Sequence, residues 1–345
     1  MPTDAPRVTI VDVARAAGVA ISSASSALNN QRGVSAATRE RVRAVADELG
    51  YVPSARGRAL SAKRAYSVGL VVERDFDILE SDPFFGAFIG GIEESIAPRG
   101  YVLALQISQD AGTTVRRHLD LARSRRVDGI FLSEIKVDDP RVPELAQLGF
   151  PAVGINPHQG DFPFPAVRQS GEEAITDLIR TLVALGHSRI AHVSGPAQYV
   201  HSLERIEAWR SAVSAAGLEP GPLVAGDFTS EGGRRAADVL LTVPDRPTAV
   251  FCANDLAAVG FMNRAMELGF RVPHDVSVAG FDGINIGEHV RPSLSTIRTA
   301  PRELGREAGR ILLAAIDGDD VADVTVAPAR LILRDSVGRI HTPAA

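Results

Sequence analysis

The chain has 345 residues, 45% of them hydrophobic, and a formal net charge of −5. Its length exceeds what one compact core serves, so two or three domains are expected, and no run of about 18 apolar residues marks a membrane span. Cys252 is the single cysteine; an internal disulfide is excluded, a reducing cytoplasm fits, and a small buried hydrophobe is its ordinary role.

The charge is uneven. Residues 1–66 hold ten Lys/Arg against five Asp/Glu, a net +5, which leaves −10 on the remainder. A basic head on an acidic body points to an anionic polymer bound at one end. The opening residues, MPTDAPRVTIVDVARAAG, include an early aspartate and no continuous apolar core, unlike a secretory signal.

In chain order, Thr9 with Asp12 predicts a capped helix start, followed by apolar Val13, Ala14 and Ala17 at helical spacing and a break at Gly18. Ile21 to Leu28 predicts a second short helix. Ser35 opens a third, with Val42, Val45, Ala46 and Leu49 as its apolar stripe and Gly50 as its stop. Tyr51-Val52-Pro53 is extended, and Ser54 to Leu60 predicts one more short helix. From Ser67 the pattern changes to apolar strands alternating with amphipathic helices: SVGLVVE, YVLALQIS, VDGIFLS, FPAVGIN, RIAHVSG, TAVFCAND and DVSVAGFD. That alternation predicts parallel sheet covered by helices on both faces, and seven strands over this length predict two lobes.

The first two helices and the Gly18 turn have helix-turn-helix dimensions. In that motif the second helix enters the major groove. Here it reads ISSASSAL, a surface of small, uncharged residues that lets DNA come close. Ser22, Ser23, Ser25, Ser26 and Asn29 can bond phosphates or bases, and Ala20 and Ile21 can touch thymine methyls. A plain three-helix bundle has the same spacing; the positive head favours DNA, because phosphate attraction dominates non-specific binding. Walker A, GxSxG and zinc-spaced His/Cys patterns are missing from the sequence, and Asp138-Asp139 before Pro140 reads as a solvated turn, so a non-enzyme without cofactor or metal is expected.

The stretch from VTIVDVARAAGVAISSASSALNN through RALSAKRAYSVGLVV resembles the head of a LacI/GalR-type bacterial transcription regulator. The resemblance continues in order through DPFFGAFIGGIEESIAPRGY, ALGHSRIAHVSGP, CANDLAAVGFMNRAMELGFRVPHDVSVAGFDG, PSLSTIR and LILRDSVGR. It implies an all-α helix-turn-helix headpiece over 1–52, a hinge helix and linker over 53–66, and an α/β two-lobed periplasmic-binding-protein-like (type I) domain over 67–345. That domain would bind ligand and dimerise, with an N-lobe of about 67–165 and 296–325 and a C-lobe of about 166–295 and 326–340. It implies that Ile21, Ser22 and Ser26 face bases, that Thr9, Ser23, Ser25 and Asn29 lie along the DNA backbone, and that Ser54 begins a hinge helix. Leu60 would wedge into a minor-groove step, with Arg56 and Arg58 near phosphates.

In the body the resemblance implies a cleft at the carboxyl ends of the strands. Arg205, Asn254 and Asp282 would grip ligand polar groups, Phe85 and Phe228 would cover a ring, and Phe84 and His201 would lie nearby. A carboxylate and a guanidinium each bind two adjacent hydroxyls, which suits a sugar. Each residue also has an ordinary structural use: Asp282 and Asn254 as caps, Arg205 in an ion pair, Phe228 in a core. Against the family pattern, Ala20, Ser26, Ala55, Ser170 and Gly283 replace side chains common in relatives, and without an arginine at position 26 a frequent guanine reader is missing. The implied protein is a cytoplasmic, homodimeric repressor on a palindromic double-stranded DNA operator, controlled by a sugar-like effector. The alternatives are a corepressor or a purine or nucleoside effector, or a solute-binding protein.

Overall fold

A computed structural model describes residues 8–29, 33–52, 64–73, 82–158 and 160–340. The chain divides into two compact units, Met1–Tyr66 and Ser67–Ala345. Among the described residues no helix is long and apolar enough to cross a membrane.

The first unit contains α1 (Ile10–Ala16), α2 (Ile21–Leu28) and α3 (Ala36–Glu48). The Asp12 carboxylate accepts the Thr9 N–H at 2.9 Å and the Thr9 hydroxyl at 2.7 Å, closing the first turn of α1. Gly18, at φ +64°, turns the chain into α2. Ser35 Oγ caps α3 by accepting the Thr38 N–H at 3.2 Å. Val13, Ala14, Ala17, Ala24, Ala27, Val42 and Ala46 form the core. Small alanines on α2 let the three short helices pack closely. Leu49, expected in the stripe of α3, is 37% exposed instead, because α3 ends one residue earlier and Leu49 is its C-cap.

The second unit begins with β1 (Ser67–Glu73), α4 (Pro83–Ile96), β2 (Val102–Ser108), α5 (Ala111–Arg123), β3 (Gly129–Leu132), α6 (Arg141–Gln147), β4 (Ala152–Ile155) and β5 (Ala166–Arg168). Then come α7 (Glu172–Ala184), β6 (Ile190–Ser194), α8 (Val200–Ala215), β7 (Leu223–Ala225), α9 (Ser230–Leu241), β8 (Ala249–Cys252), α10 (Asp255–Glu267), β9 (Ser277–Asp282), α11 (Ile286–His289) and β10 (Ser295–Arg298). The last elements are α12 (Pro301–Asp317), β11 (Val324–Thr325) and β12 (Arg330–Ile332). They build two six-stranded sheets, ordered β11-β5-β4-β3-β1-β2 and β12-β10-β9-β8-β6-β7. Every pairing is parallel except β10 with β12. Each sheet with its helices is one lobe. The seven expected strands are β1–β4, β6, β8 and β9; β5, β7, β10, β11 and β12, of two to four residues each, are additional.

Three crossings join the lobes, at 169–171, 299–300 and 326–329. The first two fall a few residues later than the sequence boundaries, because β5 pairs with β4 and β10 pairs with β9. Gln169 ties all three together. Its Oε1 accepts the Ala300 N–H at 3.0 Å, and its Nε2 donates to the Ala327 carbonyl at 2.7 Å. A fourth link is an antiparallel bridge of Lys136 with Tyr199, in which Val137 N–H donates to Gln198 O and Val200 N–H to Ile135 O, both at 3.0 Å.

Asp138-Asp139 is not a solvated turn. Asp138 is exposed, but Asp139 is 6% and Arg141 3% exposed. Arg141 Nε and Nη2 donate to the Asp139 carboxylate at 2.9 Å and 2.6 Å, and Nη2 also reaches the Ser133 and Glu134 carbonyls. The pair fixes the loop that follows β3.

Candidate functional site

On α2 the buried alanines face the core, so the opposite side is open. Ile21 is 51% exposed, Ser22 is exposed, and Ser23, Ser25, Ser26 and Asn29 are half-buried. Asn29 Nδ2 donates to Ser25 Oγ at 3.3 Å. The Thr9 hydroxyl is committed to Asp12, which holds that carboxyl below its usual range. The sequence-predicted Ser54, Arg56, Arg58 and Leu60 lie outside the described residues.

Between the lobes of the body lies a cleft of about 1230 Å³. Phe84, Phe85, His201, Arg205, Phe228, Asn254 and Asp282 all line it. They come together because the strands of both sheets end here: Ser133 and Glu134 follow β3, Asn156 follows β4, Asn254 follows β8, and Asp282 ends β9. Five non-glycine residues lining the cleft are in the left-handed region: Glu134 (φ +50°), Asp138 (+51°), Asn156 (+46°), Phe228 (+66°) and Asp282 (+107°). Such backbone costs of order 1–3 kcal/mol per residue and clusters where side chains must be aimed.

Arg205, on α8, lies over the Phe281 ring, its Cζ 3.8 Å from the centroid. Its Nη1 donates to the Ala253 carbonyl at 2.5 Å. Nη2 is 3.9 Å from Asp282 Oδ1, beyond hydrogen-bonding reach. Both groups therefore keep capacity for a third molecule. Burial pushes the Asp282 carboxyl well above the usual carboxylate range; Arg205 opposes that, while Asp82 and Asp255 add to it. Burial pulls the Arg205 guanidinium down.

Asn254 is committed to structure. Its Oδ1 accepts the Ala257 N–H at 3.0 Å, capping α10, and its Nδ2 donates to Phe228 O at 2.8 Å. This bond helps hold Phe228, which is 8% exposed, in its left-handed conformation. The His201 ring is stacked on Phe228 at 5.5 Å and on Tyr199 at 5.4 Å. On the other lobe the half-buried Phe84 stacks on buried Phe88 at 6.2 Å and meets Phe85 edge-on at 5.6 Å.

Several lining residues escaped the sequence reading. Asp82 caps α4 by accepting the Phe84 N–H at 3.0 Å; an Asp before Pro-Phe-Phe was its signal. Glu204, beside Arg205, has its carboxyl raised by burial, with His158 and the two arginines Arg205 and Arg168 opposing. Behind the rim, Asp255 accepts the Thr296 hydroxyl at 2.6 Å and the Ile284 N–H at 2.8 Å, anchoring the loop that presents Asp282. Burial raises this carboxyl to about 7.

Residues 9–54 match the family described as "Bacterial regulatory proteins, lacI family", and residues 179–337 match "Periplasmic binding protein-like domain". The HTH-type transcriptional repressor CytR of Escherichia coli (strain K12) is 33% identical over 332 residues, covering 95% of this chain and 96% of CytR. The solved transcriptional regulator CelR–cellobiose complex is 31% identical, with a TM-score of 0.73 over 96% of this chain and 100% of that one. The lac repressor dimer bound to operator and the anti-inducer ONPF is 26% identical, with a TM-score of 0.83 over 96% of this chain and 99% of that one. These relatives are transcriptional regulators. With two architectures matched in order and a relative one-third identical along nearly its whole length, the chain belongs to the lacI family of bacterial regulatory proteins.

Proposed function

We propose that this regulator is a homodimeric repressor that reads a palindromic operator with α2 and releases or grips it according to a sugar-like effector in the body cleft. Ile21, Ser22 and Ser26 meet base edges in this reading. Thr9, Ser23, Ser25 and Asn29 run beside phosphates, and Leu60, flanked by Arg56 and Arg58, enters the minor groove from a hinge helix begun by Ser54. A two-fold dimer matches a two-fold operator. The likeness to the lac repressor dimer on its operator supports the DNA half, and the likeness to the CelR–cellobiose complex supports the sugar.

The Arg205–Asp282 pair carries the effector reading. It is held at 3.9 Å over an aromatic ring, with bonding capacity directed into a cleft lined by both lobes. A polyol that bridges it favours one arrangement of the lobes, DNA favours one as well, and each ligand changes the other's affinity by the same factor.

The test is selection of duplexes from a random pool by the full-length protein. A palindrome with a deformable central step is expected, and Ile21→Glu should enrich nothing while its thermal stability is unchanged, since Ile21 faces solvent. Enrichment of the same palindrome by Ile21→Glu would overturn the assignment of α2. The selected duplex then reports any effector as a change in affinity.

A further inference from the structure

We infer that the turn Arg123-Ser124-Arg125-Arg126 on the body is a second, sequence-independent seat for duplex DNA, gripping phosphates of the DNA that α2 reads. The inference rests on the reading of α2 as the element that meets DNA.

Charge comes first. Residues 67–345 carry −10, a balance that repels a polyanion. Yet residues 116–128 hold five arginines against Asp120 and Asp128, a local +3. Arg123, Ser124, Arg125 and Arg126 are all exposed. Elsewhere in the body many arginines are matched to carboxylates, as Arg99 is to Asp317, Arg234 to Glu267 and Arg310 to Glu307. Arg123 has Glu144 at 3.5 Å. Among the described residues no carboxylate pairs with Arg125 or Arg126.

Backbone geometry comes next. Two bonds fix the turn: the Arg126 N–H donates to the Leu121 carbonyl at 3.3 Å, and the Arg125 N–H to the Ala122 carbonyl at 3.2 Å. This helix ending puts the residue after the C-cap in the left-handed region, where glycine is the ordinary occupant. The helices α1, α3, α6, α7, α8 and α10 leave through Gly18, Gly50, Gly149, Gly186, Gly217 and Gly269, all at positive φ. In α5 that residue is Arg125, at φ +51°. A cation in the last turn of a helix is favoured by the helix dipole, which accounts for Arg123. Arg125 and Arg126 lie past that turn. An arginine strained where glycine fits is kept for what its side chain does outside the fold.

Position names the partner. The Asp128 N–H donates to the Ser67 carbonyl at 2.7 Å, and Gly129 pairs with Val68. The turn therefore flanks Ser67, where the chain enters the body from the basic residues 1–66. The cleft lies at the other ends of the same strands, roughly 20 Å away. Residues 53–66 reach at most about 50 Å even fully extended, so a duplex held by α2 meets this turn at high effective concentration. Guanidinium forks match phosphate oxygens in bidentate fashion. An acidic protein would satisfy the same charge, but DNA is the polyanion that the chain itself delivers to this end.

The experiment titrates full-length protein with the selected palindrome and with an unrelated duplex of the same length, by fluorescence anisotropy from about 50 to 200 mM salt. Arg125→Gly combined with Arg126→Ser should weaken both duplexes by a similar factor, about ten-fold or more at the low-salt end. The plot of log affinity against log salt should become shallower by about 2–4, because two arginines in each protomer of a dimer leave the phosphates. The melting temperature should hold or rise, since glycine suits the left-handed position. Ile21→Glu should instead lose the palindrome's advantage over the unrelated duplex. Unchanged affinity and salt slope in the double variant overturn the patch and leave the reading of α2 standing. Weakening confined to the palindrome, or accompanied by a fall in melting temperature, overturns a sequence-independent phosphate contact. A wild type that binds neither duplex at low salt overturns the DNA reading and the patch together.

Discussion

Two adjacent glycines on α4 should respond to the same substitution with opposite signs. A Cβ built at Gly91 lies 2.0 Å from the Arg302 carbonyl oxygen and 2.8 Å from the Arg306 nitrogen, both backbone of α12. From the other side, a Cβ at Gly305 lies 2.1 Å from the Phe88 carbonyl oxygen. A carbon needs about 3.3 Å from a carbonyl oxygen, so Gly91→Ala must part the helices by roughly 1.3 Å. Backbone cannot rotate away as a side chain can. Overpacking of this kind costs typically 1–3 kcal/mol and at times more, and the helix-propensity gain of alanine over glycine, about 1 kcal/mol, offsets only part. We expect a net loss of about 2 kcal/mol, the upper end of that cost less the propensity gain, because both contacts are rigid. Gly90 has no atom within 4 Å of its Cβ position, so Gly90→Ala should gain about 0.5–1 kcal/mol. The helix carries Phe84, Phe85 and Phe88, so the shift reaches the cleft wall and Gly91→Ala should also weaken effector binding. Urea titration of the body, followed by circular dichroism, measures both variants. Stabilisation by Gly91→Ala, or equal shifts in the two, would refute the steric account.

Other expectations follow from buried charge. Burial pulls the imidazoles of His118 and His192 down to about 4 from an ordinary 6.5. A depressed folded value means the unfolded chain binds the proton first, so this stability is whole above pH 6.5 and is lost as pH falls toward 4, up to about 3 kcal/mol per histidine. Asp255, raised to about 7, has the opposite sign: its contribution is whole below the unfolded value of 3.8 and fades as pH rises through 7. His192→Phe should flatten the acid limb of the stability profile, and an unchanged slope in denaturant titrations at pH 7 and 4.5 would count against it. Asp139→Ala strands Arg141 in the interior and should cost about 3–5 kcal/mol, whereas Asp138→Asn on the exposed neighbour should stay within about 0.5; comparable melting points for the two would be the adverse result. Asp282→Ala should keep operator affinity in a mobility-shift titration and lose the effector response. A response that survives would place the effector elsewhere.

The elements legible in the sequence are those whose signal is local. Thr9 with Asp12, Ser35, Gly18 and Gly50 punctuate the three helices where their hydrogen bonds and φ values require, and runs such as SVGLVVE are buried along almost their whole length. The five missed strands have two to four residues each and owe their conformation to a neighbour in the sheet. Asp139 looked solvated because its partner, Arg141, lies across a proline and both enter the interior together. For Asn254, both weighed uses apply, since it lines the cleft while capping α10. Nothing in the identity of Glu134 or Phe228 announces a left-handed backbone, whereas Asn156 is of a type that adopts it readily. That conformation is imposed where strands of two sheets end against one space.

The coupling between ligand and lobes has a physical route through the crossings. The Asp282 carbonyl accepts both the Thr299 N–H and the Thr299 hydroxyl, each at 3.2 Å. The next residue, Ala300, donates to Gln169 Oε1, and Gln169 Nε2 reaches the third crossing at Ala327. Ala329 N–H returns to the Ser170 carbonyl at 2.9 Å. A ligand that moves Asp282 thus moves the second crossing directly and the other two through one amide side chain. Cutting Gln169 back to alanine removes two hydrogen bonds between crossings while Arg205, Asp282 and both aromatic stacks stay in place. Gln169→Ala should therefore leave effector affinity nearly unchanged and alter the factor by which effector changes operator affinity. Equal factors in wild type and variant, from titrations of operator with and without effector, would mean that the lobes are coupled through the Lys136–Tyr199 bridge instead.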